Sequence, residues 1–401
     1  MLVTNCRLAD GRLVDLRLVD GVIAEVGRLH AGDEPVVDVG EWLTLPPMAE
    51  PHAHLDKALT AELAPNPTGD LQGAIDAWSA ASDGGVFGHD EMVGRIGRAL
   101  DQLVANGVTV VRSHVNVGEH AGLWHLAAAR EAVRRHSGVV DVELVALTHS
   151  PMVGPEGETN RASLAAAVDA GSDLVGGCPH FEPDGRGSID AALDIAADLP
   201  IDFHCDETLD PTVLTVCDLA RAVTERGIEQ SVTASHCVSL GMQTPDVQER
   251  IAGELAAAGV SVVTLPSTNL FLQGRDHTVA TPRGLTAIHA LRAAGVIVAA
   301  GGDNVQDPFN LIGRFDPLET AALLVLAGHV LPDQAYDMVS NDVRRVLGRP
   351  AVRFEVGDPA DFVCIDTPSI RTAIAEAPAD RLTFQAGRLV ASSTSNRTVH
   401  R

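Results

Sequence analysis

His52 and His54, separated by a single alanine in MAEPHAH, are the residues most able to do chemistry in this chain. On an extended strand side chains alternate with a period of two, so both imidazoles project to one side and can grip one ion. His204, His236 and Asp303 close three later β-branched runs, PIDFHCDE, SVTASHC and VIVAAGGDN. Three imidazoles and one carboxylate with room left for water suit a single Zn²⁺ or Fe²⁺ in a catalytic role. Glu207 follows His204 by three residues, where it can reach over such an ion or stand as an ordinary solvated loop glutamate.

Those residues need a scaffold that brings distant strand ends together. Eight short apolar runs alternate with amphipathic stretches between residues 40 and 305: 43–54, 108–117, 140–149, 172–180, 200–207, 231–237, 260–269 and 296–304. Segments such as MVGRIGRALDQLVANG, with apolar residues three and four apart and a closing glycine, predict the intervening helices. This alternation predicts a (β/α)₈ TIM barrel. Nearly every run ends in histidine, acid or amide: His52 and His54, His114, His149, His180, His204 with Glu207, His236, Asn269 and Asp303. In a barrel such positions converge on the C-terminal mouth. Strand-and-turn sequences at both termini predict a small β-sandwich over 1–47 and 351–401, flanking a barrel domain over 48–350.

The motifs PHAHLDK, VRSHV, GGCPHFE, DFHCDE, VTASHC, LQGR and GGDN, in that order, resemble the cytosine deaminase branch of the amidohydrolase superfamily across essentially the whole chain. That resemblance implies His52, His54, His204 and Asp303 as metal ligands, Glu207 as the acid that protonates a ring nitrogen, and His236 as the residue that polarises the attacking water. Many relatives hold two metals bridged by a carboxylated lysine on the fourth strand. SDLVGGCPH contains no lysine, which implies one ion.

Three departures bear on substrate. Cytosine deaminases carry a glutamine where this chain has His149, a second aspartate where it has Asn304, and a tryptophan where it has Phe309. Lys57 after HxHxD and the Asp303-Asn304 pair are instead similar to the N-alkylammelide aminohydrolases, which lack the glutamate matching Glu207. The mixture implies a substrate other than cytosine: a pyrimidine-, purine- or triazine-like ring that loses an amine. Lys57, His149, Asn304, Phe309 and Gln273 are the expected substrate contacts, with Lys57 at the pocket rim and no part in holding the metal. His114 and His180 read equally as pocket or structural residues, and Arg275 as a loop cation over the pocket or in solvent. Hydrolysis of a cyclic amide or imide is the alternative reaction, and a non-catalytic metal- or ligand-binding barrel a remote one.

Composition narrows the partners. A net charge of −25 opposes nucleic acid and anionic membrane surfaces. Of 29 basic residues only Lys57 is lysine, which marks a place where arginine's broad fork would not serve. The six scattered cysteines predict free thiols. With no signal-peptide layout and no run long enough to span a bilayer, a cytoplasmic protein with a small-molecule substrate is expected, and a homo-oligomer is left open.

Overall fold

The computed structural model describes residues 1–118, 121–396 and 398–400. Strands β1 (Leu2–Leu8), β2 (Leu13–Val19), β3 (Val22–Gly27), β4 (Val36–Asp38) and β5 (Leu43–Leu45) open the chain. The barrel strands follow as β6 (Met48–Ala53), β7 (Val108–Val117), β8 (Asp141–Thr148), β9 (Leu174–Gly176), β10 (Ile201–Cys205), β11 (Val232–His236), β12 (Ser261–Thr264) and β13 (Val298–Ala300). Strands β14 (Phe362–Ile365), β15 (Arg381–Gln385) and β16 (Arg388–Ser393) close it. The eight central strands pair in sequence order, all parallel, as expected of the TIM barrel. The terminal strands form a second sheet in which β5 joins β1 to β14. Val3, Leu16, Ile23, Phe362 and Phe384 pack there into a separate core, the terminal β-sandwich expected from the sequence.

The run 43–54, read from sequence as one strand, is two. β5 belongs to the terminal sheet and β6 to the barrel, because the intervening Pro46-Pro47 has no N–H to continue either ladder. Their carbonyls are instead taken by the hydroxyls of Tyr336 (2.7 Å) and Ser340 (2.8 Å). The run 260–269 also changes state: β12 stops at Thr264, and Pro266 opens a helix, Pro266–Leu272, that carries Asn269.

The barrel seam closes through the residues of interest. The Asp303 N–H donates to the His52 carbonyl (2.9 Å), and the His54 N–H donates to the Asp303 carbonyl (3.2 Å). Glu50, buried on β6, reinforces the seam by accepting from the N–H groups of His52 (3.0 Å) and Gly302 (2.9 Å).

Below the mouth lies a layer of buried charge. Arg112 on β7 donates to Asp202 on β10 (3.0 Å) and to Glu143 on β8 (3.0 Å), tying strands together across the interior. Burial raises the Asp202 carboxyl, but the facing His114 ring and the Arg112 guanidinium outweigh it and hold Asp202 below the usual carboxylate range. Among the described residues no helix is long and apolar enough to cross a membrane, and all six cysteines are free thiols.

Arg112→Met should leave the Asp202 carboxylate buried without its cation, which costs about 3–5 kcal/mol. A chemical-unfolding midpoint equal to wild type would show that this layer contributes nothing to the barrel.

Candidate metal centre and active-site cavity

His52 and His54 sit at the end of β6, His204 on β10 and Asp303 just past β13. Their side chains meet at the barrel mouth. His204 Nε2 lies 3.1 Å from both His52 Nε2 and His54 Nε2, and Asp303 Oδ1 lies 3.3 Å from His54 Nε2 and 3.7 Å from His52 Nε2. Burial holds all three imidazoles well below their usual pKa, hence neutral with lone pairs to give. Neither oxygen of the buried Asp303 carboxylate has a hydrogen-bond partner among the described residues. Three neutral nitrogens and one orphaned carboxylate are the donor set a divalent cation takes, and a cation reverses the cost of burying the aspartate. Asp303 (φ 62) and His236 (φ 69) both adopt left-handed backbone, a strained choice for residues with a Cβ that aims each side chain into the mouth.

The supporting hydrogen bonds set which ring nitrogen is available. The Ser235 hydroxyl donates to Asp202 Oδ1 (2.8 Å), so it accepts from His52 Nδ1 (2.9 Å) and leaves His52 Nε2 bare. The Asn269 carbonyl oxygen accepts from His236 Nδ1 (3.1 Å), leaving His236 Nε2 as the basic atom, 4.0 Å from Asp303 Oδ2. Burial pushes His236 down to about 3. His236 also joins His52 and His204 in a second set with metal-ligand spacing, so His236 borders the centre whichever histidines coordinate. Glu207 Oε1 lies 3.6 Å from His236 Nδ1, and burial alone lifts the Glu207 carboxyl to about 8.

These groups open on a cavity of about 270 Å³. Its polar wall holds His54, Lys57, Asn116, His149, Glu207, His236, Asp303 and Asn304. Its apolar lining is Leu71, Ile75 and Trp78 from helix α1 (Leu71–Asp83), with Leu147, Phe181 and Phe309. Asp70 caps α1 by accepting from the Gly73 N–H (2.8 Å), and Trp78 is locked by stacking on Phe87 at 4.6 Å. Cys178 also reaches the wall, but burial pushes its thiol up to about 12, so it stays protonated.

Lys57 is not at the rim. It is buried, with Nζ 2.9 Å from His54 Nδ1 and donating to Asn116 Oδ1 at 2.9 Å, so it touches the metal centre it was expected to stand apart from. The cause is a buried arginine on helix α2 (His89–Ala105). Arg95 donates to the carbonyls of Asp56 (2.7 Å) and Ala58 (2.9 Å) and draws the loop that carries Lys57 inward. There Nζ sits 5.8 Å from the Trp78 ring centre and 6.0 Å from that of Phe309. Gln273 does not line the cavity; its amide donates to the Glu207 carbonyl (3.1 Å) and steadies the backbone of the acid.

The two ambiguous histidines have structural surroundings. His180 hydrogen-bonds the His204 carbonyl (2.9 Å), and the His114 ring packs 3.9 Å from that of His52 with Nε2 3.6 Å from Asp202. Arg275 donates to the Phe271 carbonyl (2.7 Å) and covers Gly69, outside the cavity lining. Sequence reading overlooked Asn116, Ser235 and Trp78. Asn116 carried a signal, since it is polar and lies two residues from His114 on the same face of β7; the other two depend on tertiary contacts.

Comparison with known proteins gives the site a context. The family described as "Amidohydrolase family" matches residues 88–393. A pterin deaminase from Rhizobium rhizogenes is 32% identical over 94% of this chain and 87% of its own length. A 5-methylcytosine deaminase from Klebsiella pneumoniae, solved with 5-fluorocytosine, superposes with a TM-score of 0.89 at 27% identity, covering 100% of this chain and 99% of that one. An N-isopropylammelide isopropylaminohydrolase from Burkholderia multivorans gives 0.83 at 26% identity, covering 98% of each chain.

Ser235→Ala removes the group that orients His52 and should weaken divalent-metal affinity about 10- to 100-fold with the fold intact. Chelator competition that gives wild-type affinity would rule out the orienting role.

Proposed function

This chain belongs to the amidohydrolase family, and from that premise we propose that it is a metal-dependent deaminase of a small nitrogen heterocycle. The observation that carries the reading is Glu207. It is a carboxyl group lifted to about 8 by burial, so it holds a proton at neutral pH beside the ligand cluster and in the same cavity. An acid poised in that way suits protonation of a ring nitrogen while water adds to the adjacent carbon. The relatives named as deaminases and as an aminohydrolase support amine release over opening of a ring amide.

His52, His54, His204 and Asp303 would hold one divalent ion, zinc or iron. When bound, such an ion lowers the pKa of its water to ~7. The protein's own groups then divide the proton work. His236, neutral and with Nε2 bare, would accept a hydrogen bond from the water and orient it, and Asp303, 4.0 Å from that nitrogen, would take the proton that leaves. Glu207 gives its proton to the ring nitrogen, and the carbon passes through a tetrahedral adduct. Asp303 returns the water's first proton to the departing amine, and the adduct's hydroxyl gives up the second as the carbonyl forms, which restores the acid form of Glu207.

The cavity limits the substrate. About 270 Å³ lies just under the ~300–1,000 Å³ span of pockets for drug-sized ligands and is the scale of a one- or two-ring heterocycle. Trp78, Phe181 and Phe309 offer flat apolar faces to such a ring, while Lys57, Asn116 and His149 form a polar end for its oxo or anionic substituent. Pterins, triazines and substituted pyrimidines are the substrates to test first.

Four measurements check the proposal. Metal-replete protein should contain one equivalent of divalent ion by elemental analysis; two would overturn the single-ion site. Screening pterins, purines, pyrimidines, triazines and creatinine-like rings should give ammonia or amine release from at least one. Glu207→Gln should keep its metal and lose ~10²- to 10⁴-fold in turnover. Since the acid form of Glu207 prevails below about 8, wild-type kcat/KM should fall as pH rises through that value, and the limb should vanish in the variant. Near-normal turnover of Glu207→Gln would remove the proton-donor role.

A further inference from the structure

Asn304 follows Asp303, and its backbone is fixed at both ends. Its N–H reaches the Thr268 hydroxyl (3.4 Å), and its carbonyl accepts from the Asn310 amide (2.9 Å), which also donates to Ser267 (2.7 Å). The remaining freedom is which end of the Asn304 side-chain amide faces the cavity that it lines. Asp307 decides that. It is fully buried, its Oδ1 accepts from the backbone N–H groups of Phe309 (2.8 Å) and Asn310 (3.2 Å), and its Oδ2 accepts from Asn304 Nδ2 (2.8 Å). Burial lifts the Asp307 carboxyl to about 6, so at neutral pH it remains a carboxylate with only lone pairs to offer, and it must meet the NH₂ end of Asn304. The amide oxygen is then what Asn304 presents to the cavity.

We propose that Asp307 is a positioning residue that fixes the hydrogen-bond polarity of Asn304, so that the site takes heterocycles presenting an N–H donor, ring or amino, next to the metal centre. This rests on the deaminase reading and sharpens its substrate class. A carbonyl oxygen or bare ring nitrogen at that point would face a second acceptor. The same aspartate, through the Phe309 N–H, sets the ring that forms part of the apolar wall.

The test is a reciprocal exchange. In Asp307→Asn the new amide keeps its oxygen on the two backbone N–H groups, since turning it would orphan both, and its NH₂ then faces Asn304. Asn304 must flip and show the cavity a donor. On the best amino-heterocycle from the substrate screen, kcat/KM should drop about 10- to 100-fold with metal content unchanged. In Asp307→Asn/Asn304→Asp the new carboxylate at 304 accepts from the amide at 307 and again presents an oxygen, so kcat/KM should return to within about threefold of wild type. Rescue of this kind is not expected if Asp307 merely stabilises the loop.

Neutron diffraction from deuterated crystals reads the orientation directly and needs no substrate. The Asn304 ND₂ group should face Asp307 in wild type and the cavity in Asp307→Asn. Wild-type kcat/KM in Asp307→Asn, a folded and metal-loaded double variant no better than the single, or an Asn304 oxygen facing Asp307 would each overturn the proposal. If Asp307→Asn does not fold, the double variant and the wild-type neutron map decide alone. Should no heterocycle be turned over, the deaminase reading fails and the neutron map still settles the amide.

Discussion

A carboxylate buried among three neutral imidazoles, with no donor on either oxygen among the described residues, is the constraint around which this molecule is arranged. Asp303 in that setting is costly unless a cation shares it, because a low-dielectric surround favours the charged form only when it is paired. Much of the nearby structure serves to keep these four groups pointed at one place. The left-handed backbone at Asp303, the carboxylate of Glu50 across the seam and the hydroxyl of Ser235 behind His52 all do so.

The second organising theme is direction of hydrogen bonding. Ser235 donates onward to Asp202 and so makes His52 a donor at Nδ1; Asn269 does the same for His236; Asp307 fixes the amide of Asn304. In each case a residue that does not line the cavity settles which atom its neighbour shows to the mouth. The chemistry at the mouth is thus specified by a surrounding layer whose members look unremarkable one at a time.

What could be read from the chain alone follows from periodicity. The barrel is legible because the apolar runs are short, alternate with amphipathic stretches and nearly all close on a polar residue, and HxH on a strand places two rings together whatever the loops do. Lys57 was misplaced because its depth is decided by Arg95, which lies nearly forty residues further on in a helix whose pattern looked merely amphipathic. Gln273 was assigned to the substrate because loop residues carry no period, and its amide turned to a main-chain carbonyl instead. The proline pair at 46 and 47 was visible, yet its meaning as the switch between two sheets needed the partners of β5. Asn269 lies behind His236, not on the cavity wall, and is carried by a helix instead of a strand end.

The barrel seam has a further consequence in time. His52 and Asp303, whose main chains close the ring, are 251 positions apart in the sequence. At a synthesis rate of ~5–20 residues per second, roughly 12–50 seconds separate their emergence from the ribosome. Over that interval the nascent chain carries the histidine pair without the carboxylate that completes the cluster. The four groups therefore come together only when the last barrel strand is in place, so the complete donor set is a property of the finished ring.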